Sequence, residues 1–165
     1  MEAAAASTDK VRLLYELGQL YARYASVLDD GPLRDWPNLF AAECMYQIVP
    51  RDNFELGLPI AIMRCESRAM LEDRVTAVLE TMLYEPRYLR HHITDILLED
   101  VQAETLKTRA NFSVIEVLPD ELPRIAIAGC YRDRLARSAE GTWCFVEKLC
   151  VFDSVLVPNS IIYPV

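Results

Sequence analysis

The sequence predicts an α+β domain in which helices cover a strongly curved, mostly antiparallel β-sheet. Three observations lead to this prediction. Apolar residues at helical spacing begin near Thr8, at the start of the chain. After Tyr88 the chain is rich in Val, Ile, Thr, Phe and Tyr, which favour strands. Short turn-like links separate the strand segments, and such links favour antiparallel hairpins.

The first predicted element is an amphipathic helix from about Thr8 to Leu28. Its apolar residues repeat every three or four positions: Val11, Leu14, Leu17, Tyr21, Tyr24 and Leu28. The helix ends at Asp29-Asp30-Gly31-Pro32 because Gly and Pro interrupt helices. A short helical turn is predicted over residues 33–40, and residues 1–7 are expected to be disordered.

A strand is predicted at 44–49, followed by a loop at 50–59 and a second short strand at 58–63. Ser67 is a typical N-cap for a second long helix that extends to about Met82. The apolar face of this helix is predicted to contain Met70, Leu71, Val75, Val78 and Leu79.

Four long strands follow, separated by turn-like residues. Their predicted ranges are 91–101, 105–117, 124–136 and 142–155. Gly129 lies inside the third of them, where it indicates a bulge or a sharp curl. The helices are expected to cover the concave face of this sheet, which gives a cone with a pocket.

Size and composition limit the classes of protein that the chain can belong to. Its 165 residues fit a single domain spanning 1–165, which is large enough for a core without disulfides. Five cysteines at scattered spacing favour reduced thiols and a cytoplasmic protein. No apolar stretch approaches the roughly 18 residues of a membrane span, and the start does not resemble a signal peptide.

The net charge of −8, without a basic stripe, argues against nucleic-acid binding. Arg132 and Arg134 share one face of a predicted strand, so they form either a local basic patch or ordinary solvated charges.

No residue is predicted to be catalytic, to bind a cofactor or to ligate a metal. The only histidines, His91 and His92, are adjacent, and neighbours on a strand point to opposite faces. No Cys-x-His pair of a Rieske cluster, no Gly-x-Ser-x-Gly elbow and no glycine-rich phosphate loop is present.

One enzyme-like arrangement remains as an alternative. Asp29 or Asp30 could meet His91 or His92 in the pocket, with Tyr21 or Tyr24 beside them, in an arrangement suited to proton transfer. The same aspartates also suit a helix-ending turn, and tyrosines at helical spacing are usually core residues.

Several stretches together resemble a known family. They are Tyr24-Ala25 to Asp29-Asp30, Trp36 with Leu39-Phe40, Cys44-Met45-Tyr46, residues 67–75, Arg90-His91-His92-Ile93-Thr94-Asp95, residues 129–135, residues 143–148, Phe152-Asp153-Ser154 and Tyr163-Pro164-Val165. In this order they resemble the β (small) subunits of aromatic-ring-hydroxylating dioxygenases, with Asp95 in place of the usual Asn. These subunits share a fold with nuclear transport factor 2, scytalone dehydratase and ketosteroid isomerase.

The resemblance implies a cystatin/NTF2-like cone and a non-catalytic structural role in aromatic compound catabolism. The expected partner is an α subunit that carries a Rieske [2Fe–2S] cluster and a mononuclear iron. The β chains are expected to form a homotrimer within an α3β3 assembly, with electrons delivered from NADH by a reductase, sometimes through a ferredoxin. Residues 53–59, 65–67 and 84–87 resemble small subunits acting on aromatic carboxylates, of the terephthalate or salicylate type.

Within this family, Arg87, Arg90, Arg132 and Arg134 are candidates for anchoring subunit interfaces. They are equally consistent with plain surface charges. The alternative function is a stand-alone dehydratase or isomerase that uses an Asp/His pocket.

Overall fold

The computed structural model describes residues 2–81, 83–154, 156 and 161–165, with side chains from residue 9 onward. Its elements are α1 (Glu2–Asp29), a 3-10 helix (Leu33–Leu39), β1 (Phe40–Pro50), α2 (Arg51–Glu55), β2 (Met63–Cys65), α3 (Arg68–Thr76), a π-helical turn (Ala77–Thr81), β3 (Tyr88–Val101), β4 (Thr105–Val117), β5 (Arg124–Arg137) and β6 (Trp143–Phe152).

The strands form one six-stranded sheet in the order β2-β1-β6-β5-β4-β3. Strands β3 to β6 are joined as successive antiparallel hairpins, whereas β1 pairs in parallel with β6. Helix α1 packs across the sheet and contacts β3 and β6. The α+β prediction, with helices on a mostly antiparallel sheet, is confirmed.

Helix α1 buries only part of the predicted apolar face. Its buried side chains begin at Leu17 and continue through Tyr21, Tyr24 and Leu28, whereas Val11 is 66% exposed. Leu14 is also exposed, because the first turns of the helix lie outside the core cluster. The helix begins at Glu2, upstream of the predicted start near Thr8. Disorder of residues 1–7 in solution stays a prediction.

The segment between β1 and α3 differs most from the prediction. Residues predicted as a loop contain the short helix α2, and the strand predicted at 58–63 is wrong, because β2 is Met63–Cys65. Leu58, Ile60 and Ile62 are exposed, so the apolar alternation does not reflect burial against a core.

Ser67 caps α3 as predicted, since its side chain accepts a hydrogen bond from the Met70 amide. The helix ends at Thr76 and continues as the π-helical turn to Thr81, and the predicted end at Met82 lies outside the described residues. Met70 and Leu79 are exposed, contrary to the prediction. The buried stripe of Leu71, Val75 and Val78 is narrow, and these two residues lie on its flanks.

Most predicted strand boundaries agree closely with the structure. β4 has the predicted range, and β5 differs by one residue at its end. β3 begins three residues before its predicted start, and β1 begins four residues before its own. β6 runs from Trp143 to Phe152, so the prediction was too long at residues 153 and 154, and its end at Val155 lies outside the described residues.

Gly129 allows a close approach of two strands rather than forming a bulge. It pairs with Phe152, and a Cβ atom built on it would lie 2.0 Å from the Val151 carbonyl oxygen. The two register shifts in the pairing of β5 lie elsewhere, between the partners of Val114 and Ile115 on β4 and between Arg134 and Leu135 opposite β6. The backbone of β6 therefore occupies the space that any other side chain at position 129 would need.

Candidate functional site inside the cone

An ion pair lies at the centre of the protein, between the sheet and α1. Lys148 Nζ is 2.9 Å from Asp133 Oδ2, and both side chains are completely buried. The two residues pair directly across β5 and β6, so both side chains point to the same inner face.

Two further side chains extend this ion pair into a network. The Tyr21 hydroxyl donates to Asp133 Oδ2 at 2.6 Å and lies 2.8 Å from Thr108 Oγ1. Because Tyr21 has a single hydroxyl hydrogen, Thr108 must donate to it. The network therefore joins α1, β4, β5 and β6 through buried polar contacts.

Aromatic rings surround the Lys148 ammonium. Its Nζ lies 3.5 Å from the ring centroid of Tyr131, 4.4 Å from that of Tyr24 and 4.6 Å from that of Phe145. A desolvated cation over a ring face gains about 2 kcal/mol or more. The rings and the carboxylate together compensate for the removal of this charge from water.

Burial changes the pKa values of the Asp133 carboxyl group and of the neighbouring tyrosine hydroxyls. It raises the pKa of Asp133 above its ordinary value, although the Lys148 ammonium opposes the shift. Burial also raises the pKa values of the Tyr21 and Tyr131 hydroxyls well above their usual range. Five cavities among the described residues have neither Lys148 nor Asp133 in their walls. Both charged side chains are completely buried, so the network lies inside the core and away from solvent.

The structure brings Asp29 and His91 together, as the enzyme-like alternative requires. His91 Nδ1 lies 2.6 Å from Asp29 Oδ1, and the His91 backbone N–H donates to Asp29 Oδ2 at 2.9 Å. The His91 side chain is fully buried, however, and lines none of these five cavities, whereas Asp29 lines the one at the end of α1. His92 is exposed on the other face of β3, so the prediction of opposite faces is confirmed.

The other residues of the enzyme-like alternative have different hydrogen-bond partners. Asp30 lies at the surface, where its carboxylate accepts a hydrogen bond from Arg90 at 2.8 Å. Tyr21 donates to Asp133, and Tyr24 donates to the Val165 carbonyl oxygen. The structure therefore shows an Asp29–His91 pair without Tyr21 or Tyr24, in which the imidazole is buried and Asp29 lines a cavity at the end of α1.

We expect Asp29→Ala to lower the free energy of unfolding by about 1–3 kcal/mol, because it leaves the His91 backbone amide and imidazole without a buried acceptor. Asp30→Ala is the matched control, and it should cost less than about 1 kcal/mol because its ion pair is exposed. Urea unfolding of both variants checks this expectation. Equal losses would show that the Asp29 contacts do not stabilise the fold.

The four candidate arginines all make contacts within the chain. Arg87 binds Glu116 at 2.6 Å and is only 16% exposed, and Arg90 binds Asp30. Arg132 is exposed, with its guanidinium 5.0 Å from the ring centroid of Phe54. Arg134 is exposed and lies 3.4 Å from Glu147.

Strand register adds two basic residues that sequence reasoning missed. Arg109 pairs with Arg132 and Lys107 pairs with Arg134 on the outer face of the sheet. All four side chains are exposed, and together they form the basic quartet. The alternation of polar and apolar residues along β4 signalled that Lys107 and Arg109 share a face, but not which strand lies beside them.

Within the described ranges, no group of three or more His, Cys, Asp or Glu residues could hold a metal ion. None of the helices described is long and apolar enough to cross a membrane.

The family model of the ring hydroxylating beta subunit matches residues 23–159. The chain belongs to this family. Among the relatives of this ring hydroxylating beta subunit is the anthranilate 1,2-dioxygenase small subunit of Burkholderia cepacia. The two are 28% identical over 158 residues, which span 96% of this chain and 98% of that subunit.

Other relatives of the beta subunit agree with this assignment. A terephthalate 1,2-dioxygenase terminal oxygenase β subunit from Comamonas sp is 25% identical over 149 residues, which span 90% of this chain and 96% of that one. A crystal structure of a β subunit assigned to an aromatic-ring-hydroxylating dioxygenase of Novosphingobium aromaticivorans superposes with a TM-score of 0.82. It is 31% identical and covers 93% of this chain and 97% of that chain.

Proposed function

We propose that this chain is a non-catalytic structural β subunit of a multicomponent aromatic-ring-hydroxylating dioxygenase, an oxidoreductase of aromatic compound catabolism. The observation that carries the proposal is the filled interior of the cone. Where an enzyme of this shape needs an open pocket, this chain has the buried Lys148–Asp133 pair. The family match supplies the expected partner, a larger α subunit.

The metal centres of the assembly belong on that α subunit in this proposal. His91 and His92 point to opposite faces of β3, so they do not converge as the ligands of a Rieske cluster or a mononuclear iron must. Electrons would come from NADH through a reductase, with or without a ferredoxin. The five free cysteines support a reducing, cytoplasmic location.

The basic quartet is our candidate for the contact between β chains. Like charges directly opposite each other destabilise a sheet. Glu99 and Glu147 lie near Arg109 and Arg134 within the chain, and an acidic partner surface would add to this compensation. Removing the four positive charges from the net charge of −8 leaves −12 on the rest of the chain. A second copy therefore offers the complementary charge. Contacts between different surfaces of identical chains form a ring when the rotation between copies closes, as a homotrimer within α3β3 requires.

Arg90 and Arg87 remain further candidates for the contact with the α subunit. Arg90 is the better placed of the two, because it is exposed on β3 beside Asp30, whereas Arg87 is largely buried against Glu116. The relatives named for anthranilate and terephthalate dioxygenases support an aromatic carboxylate as the substrate of the assembly.

The experiment that tests the proposal is affinity isolation of the tagged chain from its source cells grown on aromatic compounds. A brown complex with about equal amounts of this chain and one larger iron–sulfur protein is the expected result. A colourless chain that elutes alone would contradict the proposal.

We expect the double charge reversal Arg109→Glu and Arg132→Glu to weaken self-association about 100-fold or more, because unfavourable juxtaposed charges cost several kcal/mol. Native mass spectrometry across a concentration series measures the effect. The control, Lys10→Glu with Arg34→Glu, changes the net charge equally at exposed positions outside the quartet. If both double variants assemble like the parent chain, the quartet is not the interface.

A further inference from the structure

Residues 161–165, called the tail here, run into the interior of the cone: residues 161–163 are half-buried, and Pro164 and Val165 are buried. The Val165 carbonyl oxygen accepts hydrogen bonds from the hydroxyl of Tyr24 at 2.6 Å and from that of Tyr46 at 3.1 Å. The Val165 amide donates to Tyr46 at 2.9 Å, and Val165 is buried. Two phenolic donors from different elements, α1 and β1, thus converge on one carbonyl oxygen.

Side chains from outside the sheet hold the rest of the tail. Arg74 on α3 donates to the carbonyl oxygens of Ile162 at 2.6 Å and Ile161 at 3.2 Å. The hydroxyls of Tyr84 and Tyr163 form a hydrogen bond with each other. The tail is not a strand of the sheet, so these side-chain contacts and packing are what hold it in place.

A small cavity of about 50 Å³ lies between the tail and the sheet. Leu89, Val114 and Ile127 form part of its wall, and the Arg87–Glu116 ion pair lies at its border. The cavity is too small for an aromatic ring, since benzene binds in an engineered apolar cavity of about 150 Å³. Departure of the tail would join this cavity to the space now filled by Val165.

The enlarged space would have the chemistry of a specific site. Its walls are apolar apart from the Arg87–Glu116 ion pair, and the groups that now donate to the Val165 oxygen are the hydroxyls of Tyr24 and Tyr46 and the Cys150 thiol. Burial raises the pKa values of Tyr24 and Tyr46 well above their usual range, so both remain protonated donors at neutral pH. Apolar walls with a few fixed polar groups are typical of small-molecule sites.

We propose that the cone contains a binding site for a small aromatic molecule that bears a carbonyl oxygen, and that the tail occupies this site as an internal ligand. The ring would contact Leu89, Val114 and Ile127. The carbonyl oxygen would take the place of the Val165 oxygen between Tyr24 and Tyr46. This inference does not depend on the proposed function, because it concerns the interior of the isolated chain.

The test replaces residues 161–165 with a Gly-Ser stretch of the same length and uses 4-fluoroacetophenone as the probe. Fluorine NMR of the probe should show saturable binding that is at least tenfold tighter than binding to the parent chain. Adding Tyr24→Phe and Tyr46→Phe to the exchanged chain should weaken binding at least tenfold. A folded exchanged chain that binds no probe, or binds it without need of the hydroxyls, would overturn the proposal.

A second variant keeps the test decisive if the exchanged chain does not fold. Arg74→Met in the otherwise intact chain loosens the tail without altering the cavity wall, because Arg74 does not line the cavity. This variant should bind the probe more tightly than the parent chain and still assemble with the larger subunit. Equal affinity of the variant and the parent for the probe would refute the internal-ligand model. Loss of assembly with the larger subunit, without a change in probe affinity, would refute it as well, whereas tighter probe binding with loss of assembly would concern only the proposed function.

Discussion

Lys148→Met is expected to lower the free energy of unfolding by about 3–5 kcal/mol, because removal of one member of a buried ion pair leaves the other without compensation. The Asp133 carboxylate would keep Tyr21 as a donor but lose the ammonium 2.9 Å away. The cation–π contacts between the ammonium and the surrounding aromatic rings would also be lost. Urea unfolding monitored by circular dichroism measures the change.

A double variant separates the contribution of the ion pair to stability from that of the packing around it. Lys148→Met combined with Asp133→Leu replaces both charges with apolar groups, which is often nearly neutral for a buried pair. We therefore expect the double variant to recover at least half of the stability that the single variant loses. A single-variant loss below about 1 kcal/mol would show that the ion pair does not stabilise the core.

Gly129→Ala is expected to destabilise the domain by about 3 kcal/mol or more, at the upper end of the cost of overpacking. The new Cβ would lie 2.0 Å from the Val151 carbonyl oxygen and 2.7 Å from the Phe152 Cα. Both atoms belong to the backbone of β6, so no side-chain rotation can relieve the clash. The strands must separate, and the parallel pairing of β6 with β1 would be disturbed with them.

Gly18→Ala is the matched control for this substitution. Gly18 lies in α1, and a Cβ built there meets no atom within 4 Å. Alanine favours the helix over glycine by about 1 kcal/mol, so this variant should unfold at a slightly higher temperature than the parent. Thermal unfolding of both variants checks the contrast, and a Gly129→Ala protein as stable as the parent would show that the strands are less closely packed.

The strands illustrate what local patterns can predict. Residues 105–117 alternate between polar and apolar side chains, and the structure has β4 over that range. Ser67 predicted the start of α3 because an N-cap acts on amides within the next turn. The prediction of a buried face was wrong where an apolar side chain does not contact the core, as at Val11 in the first turns of α1.

The features inside the cone depend on residues far apart in the sequence. Tyr24 and Val165 are separated by 141 positions, and Tyr21 and Asp133 by 112. Inward-facing charges on two strands could have suggested the pair of Asp133 and Lys148, but only the register places one opposite the other. Likewise, only the register places Lys107 and Arg109 of the basic quartet opposite Arg134 and Arg132.

By itself, the sequence determined the α+β class, most strand boundaries and the resemblance to the small subunits of ring-hydroxylating dioxygenases. These properties depend on hydrophobic periodicity, capping residues and local motifs, which act over a few residues. Only the tertiary structure decided that the cone is filled, that Asp29 meets an enclosed His91, and that the tail lies against Tyr24 and Tyr46. The physical reason is that strand register and long-range packing, rather than local preference, determine which distant side chains share the core.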